Sequence, residues 1–213
     1  MKYTLIMTPE AVWKKIGPAL LKHYKRSATF LDYRTPWELT VAVILSAQAT
    51  DVGVNKITPA LFKKFPIPKA FANAKPEDIA RYIKTLGYYR SKSVYLKKSA
   101  QILIKEFGGV VPDDPLLIQK LSGVGRKSAV AIISNAYNKN IGIPVDTHVI
   151  RFVKRFGLSK KKDPSKIERE LLKIIPKKDW KRAGYAIKEY GRKEGRARGY
   201  KKEEDPLYLA LNK

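Results

Sequence analysis

The chain has 213 residues, with 44 Lys and Arg against 19 Asp and Glu, a formal net charge of +25 and no cysteine. That length suits one large domain or two small ones sharing a core, and a composition 44% hydrophobic and 10% aromatic can fill such a core, which excludes a disordered basic tail. The lack of cysteine excludes disulfides, thiol nucleophiles, zinc knuckles and cysteine-held iron–sulfur clusters, while no apolar run approaches the roughly 18 residues of a membrane span and MKYTLIMTPEAVWKK carries no signal-peptide pattern.

Helical signals follow one another along the chain. Thr8-Pro9-Glu10 places a cap before a proline at the first helical position, and Ala11, Ile16, Ala19 and Leu20 recur at helical spacing. Thr35-Pro36-Trp37-Glu38 is a capping box opening an apolar helix that ends near Ala49. Asp51 is expected to cap the next helix, through about Phe65. Pro76-Glu77-Asp78 opens another, stopped by Gly87, and residues 91–107 form a basic amphipathic helix closed by Gly108-Gly109. Asp114-Pro115 starts a short helix to Leu121, followed by helices over 126–138, from Asp146 to Phe156, from Asp163-Pro164 to Ile175, and from Asp179 to about Tyr190. No segment alternates over strand length, so the expected fold class is all-α. LGYYRSKSV (86–94) and LSGVGRKSAV (121–130) echo each other weakly as helix–turn–helix joints.

The positive charge is spread along the chain and is densest toward the C-terminus, so it is not one detachable tail. A Lys-rich solvated surface would account for part of it. A polyphosphate partner accounts better for so much tolerated self-repulsion. The expected protein is soluble, intracellular and cytoplasmic, nucleoid-associated in a prokaryote, and monomeric, with no membrane partner.

Leu121-Ser122-Gly123-Val124-Gly125-Arg126-Lys127 runs from a short helix through a two-glycine turn into a second helix. Glycines permit positive φ and close backbone approach. The N–H groups of Gly123, Val124, Gly125 and Arg126 are expected to point outward at a helix N-terminus, where phosphate oxygens bind. Read this way, the segment is a helix-hairpin-helix clamp on a nucleic-acid backbone; the alternative is an ordinary αα-hairpin with a glycine cap. Lys127 falls in the first turn, where the helix dipole disfavours a cation by at most about 2 kcal/mol. It either attacks a sugar carbon as a neutral amine, with desolvation by DNA supplying the rest of the shift, or pairs with a phosphate. Both roles stay open on the local sequence. In Pro144-Val145-Asp146-Thr147-His148-Val149, Asp146 is an N-cap by default, and a capping carboxylate can also face a substrate and accept a proton. His148 reads as a core or supporting polar contact and His23 as a surface residue.

LSAQATDVGVNK (45–56), LSGVGRKSAVAI (121–132) and VDTHVIR (145–151) together resemble the endonuclease III family of DNA repair glycosylases, from about Leu39 to Leu158. The resemblance implies a six-helix barrel domain over 28–140 containing the hairpin. A second helical domain is implied from 1–27 with 141–213, the DNA-binding cleft lying between the two. It implies Lys127 as Schiff-base nucleophile and Asp146 as catalytic aspartate. Gln48 is implied to enter the duplex where the damaged nucleotide flips out, and Tyr88 to stand where the family often has a leucine wedge. Adenine glycosylases, which resemble this hairpin, lack the lysine there, so Lys127 implies a bifunctional enzyme: base release, then strand cleavage by β-elimination. The expected partner is double-stranded DNA with damaged bases, oxidised pyrimidines first, or abasic sites. The alternatives are an AP lyase, an oxidised-purine glycosylase, or a non-catalytic DNA-binding module.

The family commonly ends in four cysteines holding a [4Fe–4S] cluster, whereas Tyr190-Gly191-Arg192-Lys193-Glu194-Gly195-Arg196 stands here. The expected cofactor is therefore none. Tyr200, Leu207, Tyr208 and Leu209 are expected to pack the tail in the cluster's place, with Arg192, Arg196 and Arg198 keeping a positive surface. Ser122 replaces a usual proline.

Overall fold

The computed structural model describes residues 7–195 and 199–212, and every regular element among them is helical. In chain order these are α1 (Pro9–His23), α2 (Pro36–Leu45), α3 (Asp51–Lys64), α4 (Pro68–Asn73), α5 (Pro76–Ile83), α6 (Tyr89–Phe107), a 3-10 turn (Ile118–Lys120), α7 (Arg126–Ala136), α8 (Thr147–Arg155), α9 (Pro164–Ile174), a 3-10 turn (Lys177–Asp179), α10 (Trp180–Lys193), a 3-10 turn (Lys202–Glu204) and α11 (Pro206–Leu211). The chain divides into two compact units, Thr29–Lys139 and Met1–Ala28 with Asn140–Lys213.

The Thr29–Lys139 unit is built around α2. Every residue from Leu39 to Leu45 is buried, the mark of a helix enclosed on all sides, and α3, α6 and α7 pack on it. Its start is fixed by a variant capping box: the Glu38 N–H donates to Thr35 Oγ1 at 3.1 Å, while Glu38 Oε2 accepts from the Arg34 N–H at 2.6 Å. Trp37, Phe65, Phe71 and Tyr82 stack edge-on or tilted with centroids 5.2–5.7 Å apart.

Several boundaries differ from the sequence expectation. Thr50, not Asp51, caps α3, its Oγ1 accepting from the Gly53 N–H at 3.0 Å. α2 stops at Leu45, short of Ala49, because the chain turns there. α6 starts two residues early, at Tyr89. The stretch after Asp114 is a turn, with Asp114 Oδ1 accepting from the N–H groups of Leu116 and Leu117, and only Ile118–Lys120 winds as 3-10 helix. α4 was not anticipated; its six residues deliver the fully buried Phe71.

In the other unit, α1, α8, α9, α10 and α11 enclose a core that includes Ile16, Leu20, Phe152, Ile167, Leu171, Ile187, Tyr190 and Leu207. The chain after α1 is tied to α10 where the Arg26 N–H donates to Glu189 Oε2 at 3.1 Å. Hydrogen bonding from Lys193 and the Arg26 amide holds the Glu189 carboxyl below its ordinary range. That contribution is complete at neutral pH and fades as acid protonates Glu189, so the stability lost by Glu189→Gln should shrink between pH 7 and pH 3 in paired melts. α11 was not anticipated either. It buries Leu207 fully, whereas Leu209 is 52% exposed and so does not pack the tail as expected. Leu207→Ala should cost about 2–4 kcal/mol, measured by denaturant titration; Leu209→Ala should cost far less. Arg196 and Arg198 lie outside the described residues, and Arg192 is exposed.

Candidate active site and DNA interface

The hairpin is anchored from below. Leu121 and Val124 are buried, and Ser122 O accepts from Ser99 Oγ of α6 at 2.8 Å. Gly123 has φ +82°, and a Cβ there would press to 3.3 Å on the Tyr95 ring, so both the backbone and the space require glycine. The four outward amides expected from the sequence reduce to fewer. The Val124 N–H donates to Leu121 O at 3.1 Å, closing the turn, and the Val124 side chain faces the core. Val124 therefore supports the clamp and does not present its amide. The N–H groups of Gly123 and Gly125 have no acceptor among the described residues, and around Gly125 an added Cβ would meet nothing within 4 Å. That leaves room for a phosphate group at the start of α7. Arg126 is the first residue of α7 and Lys127 the second; Lys127 is exposed and has no carboxylate partner among the described residues.

Gln48 and Tyr88, 40 positions apart in sequence, belong to adjoining loops of the same unit. Gln48 has φ +52° and Tyr88 φ +60°, a left-handed conformation uncommon for side-chain-bearing residues and concentrated at functional sites. The Gln48 carbonyl oxygen lies 3.9 Å from where a Gly87 Cβ would sit. Both side chains are exposed, Tyr88 by 66%. Gln48 lies in the turn after α2 and not within that helix, which the sequence extends to near Ala49. Val52, missed by sequence reasoning, stands 79% exposed on the first turn of α3 just beyond this loop. Lys92 was missed too. One turn into α6 and 3% exposed, it has an ammonium without a hydrogen-bond partner among the described residues, and burial pulls its pKa below the ordinary lysine value. Nothing in the composition of that basic helix marks it as inward-facing.

In the unit containing Asn140–Lys213, Asp146 caps α8. Its Oδ1 accepts from the His148 N–H at 2.8 Å and the Val149 N–H at 3.1 Å, and Oδ2 has no partner among the described residues. Capping thus occupies one carboxylate oxygen and leaves the other available. His148 supports this turn. Burial pushes its pKa down, the Asp146 charge pulls it up, Arg151 and Arg192 push it down, and the Gly191 backbone raises it slightly. His23 is exposed, and no group of three or more His, Cys, Asp or Glu that could hold a metal exists among the described residues.

The C-terminal stretch is organised around a carboxylate. Asp205, 1% exposed, accepts from Tyr190 Oη at 2.6 Å and Tyr200 Oη at 2.7 Å through one oxygen, and from the Leu207 N–H at 2.9 Å through the other. Arg155 donates to Tyr190 Oη at 2.9 Å and lies 3.6 Å over the Tyr200 ring. Burial, then the Asp205 carboxylate, pushes both phenol groups up, so they stay neutral donors. Neutral phenols and one saturated carboxylate do not match the thiolates an iron–sulfur cluster requires.

An all-helical protein with a glycine hairpin delivering a lysine to a helix N-terminus, and a separate helix-capping aspartate, has the parts of a DNA glycosylase of the helix-hairpin-helix class. The profile of the HhH-GPD superfamily of base excision DNA repair proteins matches residues 41–177. Endonuclease III of Synechocystis sp. is 41% identical over 173 residues, covering 81% of this chain and 79% of that protein. Endonuclease III of Bacillus subtilis is 38% identical over 181 residues, covering 83% and 81%. The structure of a trapped endonuclease III–DNA covalent intermediate, an estranged-adenine complex, superposes with a TM-score of 0.89 at 34% identity, covering 95% of this chain and 94% of that one. The chain belongs to the endonuclease III family of this superfamily and is a base excision repair DNA glycosylase and AP lyase.

Proposed function

We propose that the enzyme removes oxidised pyrimidines from duplex DNA with Lys127 as nucleophile and Asp146 as proton acceptor, and that it does so without an iron–sulfur cluster. The observation that carries this is Lys127 itself: an exposed lysine, unpaired among the described residues, in the first turn of α7 directly after the hairpin. The amides of Gly123 and Gly125, with Arg126, hold a backbone phosphate. Gln48 and Tyr88 fill the space left when the damaged nucleotide leaves the stack, the amide hydrogen-bonding to the orphaned base and the phenol stacking on its neighbour. Asp146 takes a proton from the Lys127 ammonium. The neutral amine forms a bond to C1′ as the glycosidic bond breaks, and the base leaves with its electron pair and takes up the proton that Asp146 had accepted, which restores the carboxylate. Ring opening gives an imine; loss of a C2′ proton then expels the 3′ phosphate. The Asp146 carboxylate also stabilises the positive charge that develops on the sugar. The structural neighbour trapped covalently on DNA supports this route. The absence of cysteine and the closure of the tail around Asp205 support the cluster-free reading.

Borohydride trapping on duplexes carrying thymine glycol, 8-oxoguanine or an abasic site tests the reading, with Lys127→Ala as control. An adduct on thymine glycol that disappears in the variant is the expected result. Trapping on the abasic site alone would reduce the enzyme to a lyase, and no adduct on any duplex would overturn the lysine's role. Binding should weaken with salt as a log–log slope of about −4.5 to −7, for roughly 5–8 phosphates contacted, measured by fluorescence anisotropy; a slope near zero would sink the basic surface as the DNA face.

A further inference from the structure

The segment carrying Asp146 lies against a bare face of α10. Gly184 and Gly191 are seven residues apart, two helical turns, and so share one side of the helix. A Cβ on Gly184 would stand 3.2 Å from Pro144 Cδ and 3.5 Å from Ile143 Cγ2. One on Gly191 would collide with His148 Nδ1 and lie 2.9 Å from His148 Cβ and 3.0 Å from its Cγ. The chain is therefore seated on both sides of Asp146, by Ile143 and Pro144 before it and by His148 after it. Ile143 and Val145 are buried, and Pro144 restricts its own φ, so the approach to Asp146 is rigid. The remaining freedom is rotation of the first turn of α8, which the His148 ring in its glycine notch removes.

The ring fills this notch at a cost. Among the described residues His148 Nδ1 makes no hydrogen bond of good geometry and has only the Gly191 backbone to interact with, and a buried polar atom paired so poorly is destabilising. An apolar side chain would pack there without that penalty. A flat imidazole is narrow enough for two helices in near-backbone contact. Burial with Arg151 and Arg192 keeps it neutral against the pull of Asp146 and the Gly191 backbone. A neutral ring leaves the Asp146 charge uncompensated, where a lysine or arginine at this position would pair with it.

We propose that His148 is a positioning residue for Asp146, its ring lodged in the Gly191 notch so that the first turn of α8 aims the free Oδ2 at the reacting sugar. The inference rests on Asp146 acting as the proton acceptor. It is tested by single-turnover strand cleavage of an abasic-site duplex at saturating enzyme, alongside the Kd for a duplex with a tetrahydrofuran abasic analogue. His148→Ala should slow cleavage by about ten- to a hundredfold, the scale of a small misplacement of a reacting group, with Kd unchanged. Gly191→Ala should slow it similarly, because its methyl group expels the ring. The double variant should be no slower than His148→Ala alone, since removing the imidazole makes room for the methyl. In an Asp146→Asn background, His148→Ala should add nothing, as expected when one residue acts only through the other.

An equal loss from His148→Ala in both backgrounds would overturn the proposal, as would a harmless Gly191→Ala. Should His148→Ala fold poorly by circular dichroism, His148→Gln, nearer in volume, carries the same comparison. Full activity in Asp146→Asn alone would defeat the catalytic reading itself, an outcome separate from failure of the His148 coupling.

Discussion

Asp205→Ala should lower the melting temperature more than any other single change outside the hydrophobic core. The substitution strips the acceptor from the buried Tyr190 phenol, the half-buried Tyr200 phenol and the Leu207 amide at once, and it leaves Arg155 over Tyr200 without the negative charge it faces through the two hydroxyl groups. Removing one member of a buried charged network costs about 3–5 kcal/mol, or roughly 6–20 °C for a chain of this size. Asp205→Asn keeps one acceptor oxygen but turns a donor toward a donor, so its loss should be intermediate. Scanning calorimetry reads both. A shift of Asp205→Ala no larger than that of a surface Lys→Ala control would mean that the tail contributes little to stability, and that the aromatic packing of Tyr190 against Tyr24 and Phe152, with centroids 5.5 and 5.4 Å away, holds this end of the molecule alone.

Asp146→Asn should show the opposite profile. Asparagine caps helices about as well as aspartate, and its amide oxygen can accept from the same His148 and Val149 N–H groups that Asp146 Oδ1 now engages. The melting temperature should hardly move. Strand cleavage at an abasic site should fall by about 10²–10⁴-fold, the usual contribution of a positioned acid or base, because an amide neither accepts a proton from Lys127 nor offsets positive charge on the sugar. The pair of measurements separates the observed capping role from the proposed catalytic one. A normal rate with normal stability would leave Asp146 as a cap and nothing more, whereas a large loss of stability would show that its charge is needed to hold α8.

The helical class and most helix starts were legible because they rest on local chemistry: Thr8, Thr35 and Asp163 cap as their types and the following prolines indicate. Thr50 won over Asp51 because either can cap, and only the path of the preceding turn decides between them. α4 and α11 are six residues each, under two turns, too short for a periodicity to register. At the candidate site, glycines, lysine and aspartate are visible as residue types. The left-handed backbone of Gln48 and Tyr88 is not, since neither type marks positive φ and the strain comes from the adjoining loops. Val124 illustrates the same limit: its amide reads as exposed from the turn pattern, yet the fold uses it to close the turn. Nor does sequence order foretell that Gly191 makes a slot for a histidine 43 positions earlier.

The closure around Asp205 is made of oxygen and nitrogen atoms that the ribosome itself supplies. If the proposed cluster-free reading holds, its assembly waits on no delivery of iron or sulfide, and superoxide, peroxide and chelators find nothing in it to extract. On the cluster-free reading proposed above, a repair enzyme closed in this way would keep clearing damaged bases in cells starved of iron or under oxidant attack, its tail fastened by Tyr190, Tyr200 and Arg155 around one aspartate.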